Sequence, residues 1–233
     1  TNVFVTQRWD AFNFVGRIYW YQDLTQPRAV ELQRAPELKL TSVRQPLLGP
    51  TGLLYEGQAS FVNFIRQVGT AGIRADFHPR FYLPIPVAGL FTVTPYAGGR
   101  ITLYNQEVVG QSTSNGPAIL ASPVSIEQTR ATNRLRQQME GGLLLETRAS
   151  RVYTLEPGGS IAALQHVIEP RANFIEIRGI NQKANPQFEP GGGPTTGIDP
   201  GYEARTGIDA VEKANEVTYS ITNRLTARTT SGQ

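Results

Sequence analysis

Residue polarity alternates over long stretches of this chain, and this alternation constrains the fold more than any other sequence feature. Successive side chains of a β-strand point to opposite faces, so a half-buried strand alternates between apolar and polar residues. In residues 73–83, every odd position from Ile73 to Leu83 is apolar and every even position is polar or charged. Residues 133–149 and 217–228 follow the same pattern, whereas helical spacing is not sustained anywhere. The pattern predicts an all-β, antiparallel, up-and-down chain of roughly ten strands.

The length of these stretches points to a membrane. Strands of soluble proteins are most often about 5–6 residues long, whereas a tilted strand that crosses a bilayer needs about 9–11. All three stretches reach or exceed that length, which favours a transmembrane β-barrel over a soluble sandwich. Aromatic residues near the segment ends fit interfacial girdles; they are Trp9, Tyr19, Trp20, Tyr21, Tyr82, Tyr96, Tyr104 and Tyr153.

The expected turns and loops also suit a barrel. The chain contains 23 glycines and 16 prolines, which favours many turns. Outer-membrane barrels alternate short periplasmic turns with longer external loops. The sequence predicts external loops over residues 181–209 and 110–132, where the alternation fades.

Several functional classes lack the residues they need. There is no cysteine, which excludes disulfides, thiol nucleophiles and cysteine-ligated metals. The two histidines have no further ligands at suitable spacing, and no nucleophile-elbow or P-loop motif is present. The net charge of +3 is spread along the chain rather than clustered, unlike a nucleic-acid-binding surface. We therefore expect no enzyme activity, no metal, no cofactor and no nucleic acid partner.

The charged positions of the alternating segments are the best functional candidates. An arginine facing lipid at mid-bilayer costs roughly 2–4 kcal/mol, so these residues should face a wet or protein-filled lumen. The candidates are Arg74, Asp76, His78, Arg80, Arg134, Arg136, Glu140, Glu169 and Arg171; Arg224 should lie on the same side. The residues expected to face lipid are Ile73, Phe77, Phe81, Leu135, Leu143, Val217, Tyr219 and Ile221. The alternative role for the charged set is to solvate the interior and pair with one another.

Five short motifs, in order along the chain, resemble one family. Leu164–Arg171 contains HVIEPR, and Asp209–Leu225 reads DAVEKANEVTYSITNRL. Further matching stretches are Gln33–Leu38, Arg74–Pro84 and Pro95–Tyr104, with Asn133-Arg134 where the family opens another strand. This set resembles the LptD (OstA) family of lipopolysaccharide-assembly proteins of the Gram-negative outer membrane.

The resemblance implies a function and a set of partners. LptD-like proteins form a very large barrel that is plugged by a lipoprotein, LptE, and insert lipopolysaccharide into the outer leaflet of the outer membrane. The lipid leaves through a lateral opening between the first and last strands, next to a periplasmic jellyroll that joins the periplasmic Lpt bridge. Residues 1–233 would then be a fragment from the middle of the C-terminal barrel. They lack the jellyroll, the terminal strands and the family's cysteines, so we expect an open curved sheet rather than a closed barrel, in contact with outer-membrane lipids.

Two other interpretations share part of this pattern. A porin or a ligand-gated transporter has the same alternation and differs only in the motifs. A soluble all-β binding protein would bury the apolar positions and expose the charged ones. The direction in which the two sets point therefore separates the soluble interpretation from the membrane one.

Overall fold

The computed structural model describes residues 1–21, 32–66, 69–114, 124–155, 159–179, 181, 183–186, 188 and 213–229. Within these residues the regular structure is β, apart from a 3-10 turn at Gly49–Thr51. None of the described helical segments is long and apolar enough to cross a membrane. The strands are β1 (Asn2–Trp9), β2 (Phe12–Tyr19), β3 (Gln33–Pro46), β4 (Leu54–Ile65), β5 (Gly72–Tyr82), β6 (Ile85–Val87), β7 (Phe91–Ser114), β8 (Val124–Glu146), β9 (Ala149–Thr154), β10 (Ile161–Arg178) and β11 (Ala214–Thr229).

All eleven strands belong to one antiparallel up-and-down sheet, as predicted. The order is β1-β2-β3-β4-β5-β7-β8-β10-β11. β6 also pairs with β7, on the same side of β7 as β5, and β9 pairs with β10 on the same side as β8. We call β5 with β6, and β8 with β9, one row of the sheet each. Among the described residues β1 and β11 end the order and do not pair with each other. The sheet is thus a partial barrel wall rather than a closed barrel.

The two ends of the sheet differ in their connections. At one end, which we call the short-turn end, consecutive rows are joined through residues 10–11, 47–53, 88–90 and 155–160. At the opposite, long-loop end they are joined through residues 20–32, 66–71, 115–123 and 179–213. The longest connections of the chain all lie at the second end.

The prediction of a loop over residues 110–132 was wrong for most of that range. β7 continues to Ser114 and β8 begins at Val124, and the two strands pair from Gln106↔Ala131 to Ser114↔Val124 with one register shift between Val108 and Gly110. This hairpin extends past the end of β5, so water can solvate both of its faces and apolar alternation is not required. Residues 115–123 lie outside the described residues.

The predicted loop over residues 181–209 lies largely outside the described residues, but its start is not an ordinary external loop. Phe188 is completely buried against Phe64 and Tyr104. The amide of Val108 donates a hydrogen bond of 2.9 Å to the carbonyl of Ala184. The segment that follows β10 therefore crosses the polar face of the sheet and reaches β7.

The two faces of the sheet have opposite polarity and opposite burial. On the apolar face, Phe77 is 47% exposed and Leu135 is 50% exposed, whereas on the polar face Arg74 and Arg136 are 2% and 1% exposed. This burial is found over the central strands, where side chains and the segment that contains Phe188 cover the polar face, whereas β1 and nearly all of β11 are exposed on both faces. A soluble sandwich would bury the apolar side chains instead, so this arrangement contradicts the soluble interpretation.

The eight aromatic residues of the predicted girdle differ in their exposure. Tyr82 and Tyr104 are 4% and 2% exposed on the polar face. Tyr96 shares that face and donates a hydrogen bond to the side chain of Asn173. The remaining members, Trp9, Tyr19, Trp20, Tyr21 and Tyr153, are 38–52% exposed near strand ends.

Candidate functional site: the buried polar face

The register of four neighbouring strands assembles the polar face. Residues that face each other directly across antiparallel strands lie on the same side of the sheet, with their Cβ atoms roughly 4.5–5.5 Å apart. Asp76 of β5 faces Thr102 of β7, which faces Arg136 of β8. In neighbouring rows Arg100 faces Gln138, and Arg80 faces Gly98, which faces Glu140. Alternation along each strand therefore brings the charged side chains into one patch.

Asp76 is the centre of the first network. Its carboxylate accepts a hydrogen bond from Nε of Arg100 at 3.0 Å and another from the hydroxyl of Thr102 at 2.6 Å. Arg136 in turn donates to the Thr102 hydroxyl at 2.8 Å. The side chains of Arg100 and Asp76 are 4% and 0% exposed. Each strand of the β5–β7–β8 set contributes to this chain of contacts, which fixes their relative positions.

Two glutamates organise the second network, toward the short-turn end. Nε2 of His78 lies 2.9 Å from Oε1 of Glu140, and Nε of Arg80 lies 3.7 Å from the same oxygen. Arg80 also bridges to Glu56 at 2.8 Å. Glu56 accepts a further hydrogen bond from the hydroxyl of Tyr82 at 2.7 Å. The network therefore links β4, β5 and β8 across the buried face.

Gly98 makes this second network possible. A Cβ at this position would lie 2.7 Å from Cγ of Arg80, 2.9 Å from Oε1 of Glu140 and 2.9 Å from the carbonyl oxygen of Pro79. The side chains of Arg80 and Glu140 thus meet over the bare backbone of β7. Gly99, the next residue, points to the other face, where the nearest atom to its Cβ would be 3.4 Å away.

An aromatic cluster lies at the long-loop end of the polar face. The rings of Phe64 and Phe188 stack with centroids 4.5 Å apart. The guanidinium of Arg74 lies 4.9 Å from the Phe64 ring centroid, and that of Arg136 lies 6.0 Å from the Tyr104 ring. Cation–π attraction at these distances helps to hold buried arginines.

The structure brings six of the nine predicted site residues together on β5 and β8: Arg74, Asp76, His78, Arg80, Arg136 and Glu140. Arg134 lies on the same face beside Glu107, with Nη1 3.3 Å from Oε1. Glu169 and Arg171 lie apart on β10. There Arg171 is 3.4 Å from Glu146, and Glu169 is 3.5 Å from Arg148.

Sequence reasoning missed four residues of the patch, namely Glu56, Arg100, Thr102 and Gln138. The alternation of residues 97–104 contained the signal, since Arg100 and Thr102 separate Gly99, Ile101 and Leu103. Gln138 is 2% exposed and differs from the others because neither polar atom of its amide has a hydrogen-bond partner among the described residues. A buried amide of this kind destabilises a fold by about 1–3 kcal/mol.

The contacts of the patch join β4, β5, β7 and β8 into one hydrogen-bonded wall. Within the described residues no group of three or more His, Cys, Asp or Glu side chains is placed to hold a metal ion. The principal carboxylates of the patch, Asp76, Glu140 and Glu56, are engaged by arginine, histidine, threonine or tyrosine.

Comparison with known proteins gives one family. No curated protein matches the chain significantly. The family model of LptD, described as LPS transport system D, matches residues 1–233 and so covers the whole chain. The porin interpretation is therefore set aside, because the family that matches the whole chain is a lipopolysaccharide transport family. The chain belongs to the LptD family of outer-membrane lipopolysaccharide transport proteins.

Proposed function

We propose that this sheet is part of the wall of a membrane barrel that inserts lipopolysaccharide into the outer leaflet of the outer membrane. The observation that carries the proposal is the reversed burial of the two faces, with Arg136 1% exposed and Leu135 50% exposed at adjacent positions. Charge in hydrocarbon is costly whereas apolar side chains there are favourable. The apolar face then contacts lipid and the polar face lines the lumen.

The end-to-end asymmetry supports an orientation. In outer-membrane barrels the short turns are periplasmic and the longer loops are external. The short-turn end of this sheet is then periplasmic, and the β7–β8 hairpin extends to the cell exterior. β7 contains 24 residues and β8 contains 23, about twice the 9–11 needed to cross the hydrocarbon.

The edges of the sheet support a place within a larger barrel. Sheets in membranes leave no edge unpaired, because backbone groups in hydrocarbon must be satisfied within the protein. β1 and β11 each have one neighbour among the described strands. Further strands would pair with both edges, so that this chain forms a middle section of the barrel. A periplasmic jellyroll would connect that barrel to the periplasmic Lpt bridge.

The polar face is proposed to hold the contents of the lumen, which are an LptE-like lipoprotein plug and the anionic saccharide of lipopolysaccharide in transit. Arginine suits both, because its planar guanidinium binds phosphate and carboxylate in a bidentate manner. Arg134 and Arg171 are accessible members of the set of candidate residues, with side chains 31% and 41% exposed. The buried arginines stiffen the wall behind them.

Charge reversal of these accessible arginines in the full-length protein tests the proposal. Arg134→Glu combined with Arg171→Glu should leave the barrel folded, since partly exposed ion pairs contribute at most about 1 kcal/mol, but should lower lipopolysaccharide delivery. Arg178→Glu is the matched control, because Arg178 is 74% exposed and shares a register position with Met139 on the apolar face. Folded barrel is measured by heat-modifiable gel mobility and surface lipopolysaccharide by labelling. Normal delivery with a folded double variant would show that the polar face is structural filling.

A further inference from the structure

In the family motif at His166–Arg171, the histidine lies on the apolar face and not on the polar face proposed to line the lumen. His166 of β10 directly faces Arg151 of β9 and Leu225 of β11. Leu225 belongs to the apolar face and is 65% exposed. Nε2 of His166 lies 3.3 Å from Oδ1 of Asn223, which occupies the same face of β11. His166, Arg151 and Asn223 therefore form a polar cluster on the side proposed to contact lipid.

Among the described residues of β9, β10 and β11, this cluster contains the one formal charge of the apolar face that has no counter-charged partner. In β9, β10 and β11, the described residues that carry a formal charge on the apolar face are Arg151, Glu176 and Arg178. Glu176 and Arg178 bind each other, with Nε of Arg178 donating at 2.6 Å. Arg151 is exposed, and its contact among the described residues is the ring of Tyr153, whose centroid lies 5.2 Å from the guanidinium carbon.

The position along the strands sets the depth of the cluster. Arg151 and Tyr153 are near the end of β9, and His166 is near the start of β10, beside the connection through residues 155–160. That connection lies at the short-turn end, where Tyr153 is 41% exposed. Tyrosine at such a place marks the level of the lipid headgroups. An arginine there costs roughly 0–1 kcal/mol instead of the 2–4 kcal/mol expected at mid-bilayer.

The donors of the cluster match a phosphodiester. The guanidinium of Arg151 offers N–H donors in a planar fork, and the side-chain amide of Asn223 keeps its NH2 group when Oδ1 accepts from His166. Toward the membrane centre, β11 continues the same face with Ile221 and Tyr219, which are 65% and 83% exposed. A phosphate at Arg151 would thus place its acyl chains along an apolar strip.

We propose that Arg151, His166 and Asn223 form a binding site for the phosphate of a phospholipid in the periplasmic leaflet, with the acyl chains lying along β11. Arg151 supplies the charge and Asn223 supplies a hydrogen bond to a phosphate oxygen. His166 is a positioning residue, because its contact with Asn223 orients the amide. The inference rests on the membrane placement proposed above.

The test uses the full-length protein in liposomes of phosphatidylethanolamine and phosphatidylglycerol at about three to one, with a trace of phosphatidylglycerol that carries a photoreactive acyl chain. Crosslinked peptides are mapped by mass spectrometry. Arg151→Gln should reduce crosslinking to residues 217–225 roughly tenfold, as expected for the loss of a charge-assisted contact. Asn223→Ala should reduce it less.

Arg148→Gln is the matched control, because Arg148 lies three residues before Arg151 in the chain and pairs with Glu169 on the polar face. It should leave crosslinking to β11 unchanged. Equal crosslinking in the Arg151 and Arg148 variants would overturn the site. In a parallel series, unlabelled lipid A competes with the probe. If lipid A displaces the probe better than unlabelled phosphatidylglycerol does, the site belongs to lipopolysaccharide and a phospholipid occupant is contradicted.

Crosslinks elsewhere on the apolar face separate this inference from the proposed function. Phe77 and Phe81 of β5 should be labelled in every variant, since both are exposed on the apolar face. If they are not labelled, the membrane placement fails and the site fails with it. If they are labelled while Arg151→Gln has no effect on β11, only the phosphate site is wrong.

Discussion

Arg136 and Arg171 occupy the same face of one sheet, yet their environments differ sharply. Arg136 is 1% exposed and donates to Thr102, whereas the side chain of Arg171 is 41% exposed beside Glu146. Arg136 lies in β8 with β7 beside it and near the aromatic cluster around Phe188. Arg171 lies in β10, next to the last strand of the sheet. The alternation determines which face a side chain occupies, while neighbouring side chains and the overlying segment determine whether it is buried.

The comparison predicts that identical changes in charge have different effects in the two regions. Asp76→Ala leaves Arg100 buried without its carboxylate, which should destabilise the barrel by about 3–5 kcal/mol. Glu169→Ala removes the partner of Arg148 in the exposed region around Arg171, where the loss of stability should be about 1 kcal/mol or less. Urea titration of the refolded full-length protein, followed by heat-modifiable mobility, measures both. Equal midpoints for the two variants would show that burial does not distinguish the regions.

One substitution should detach the segment that lies over the polar face from the sheet. Phe188→Ala deletes a completely buried ring, a change that typically costs about 3–5 kcal/mol. Because few described residues link the segment to the sheet, we expect this loss to release the segment rather than unfold the barrel. Hydrogen exchange at the amide of Val108, which bonds to Ala184, should become faster. Unchanged protection of that amide would mean that Phe188 does not hold the segment.

Two adjacent glycines sharpen the comparison between the two faces. Gly98→Ala should destabilise the barrel by about 1–3 kcal/mol, because its Cβ would meet Arg80, Glu140 and the carbonyl of Pro79. Gly99→Ala faces the apolar side, where the nearest atom would be 3.4 Å away, and should be close to neutral. The difference between their urea midpoints reports on packing alone. A more destabilising Gly99→Ala would contradict the assignment of faces.

Gln138 should give the smallest effect, and with the opposite sign. Its amide is buried without a hydrogen-bond partner, so Gln138→Leu removes a desolvated polar group and keeps a similar volume. We expect unchanged or slightly higher stability in the same urea titration. A loss of more than about 1 kcal/mol would show that the amide makes a stabilising contact in the assembled barrel.

The fold could be predicted in large part because alternation carries both strand identity and face. The charged positions of residues 73–83 and 133–149 indicated the polar face before any register was known. The contacts could not be predicted, because which strands are neighbours, and in what register, depends on interactions distant in sequence. Arg100 illustrates this limit, since it meets Asp76 only when β5 and β7 align as Asp76↔Thr102.

The hairpin of β7 and β8 shows a second limit. Its outer part is rich in Ser, Thr and Gln, so polarity cannot separate a solvated strand from a loop. The burial of Phe188 was equally inaccessible, because its glycine- and proline-rich surroundings are typical of an external loop. In the hairpin the local sequence was informative about solvent contact but not about hydrogen bonding, and at Phe188 it did not indicate the tertiary packing.

The most direct test of the account compares two adjacent residues of β11. Ser220 lies on the polar face opposite Arg171, and Ile221 lies on the apolar face opposite Pro170. This chain has no cysteine, so Ser220→Cys and Ile221→Cys each introduce a single attachment point within it. Each full-length variant is spin-labelled in liposomes, and its accessibility to oxygen and to a water-soluble nickel chelate is measured by electron paramagnetic resonance. The account predicts that the label at Ile221 is relaxed mainly by oxygen and the label at Ser220 mainly by nickel. The reverse order, or nickel access at both positions, would contradict an apolar face in lipid and a polar face in the lumen.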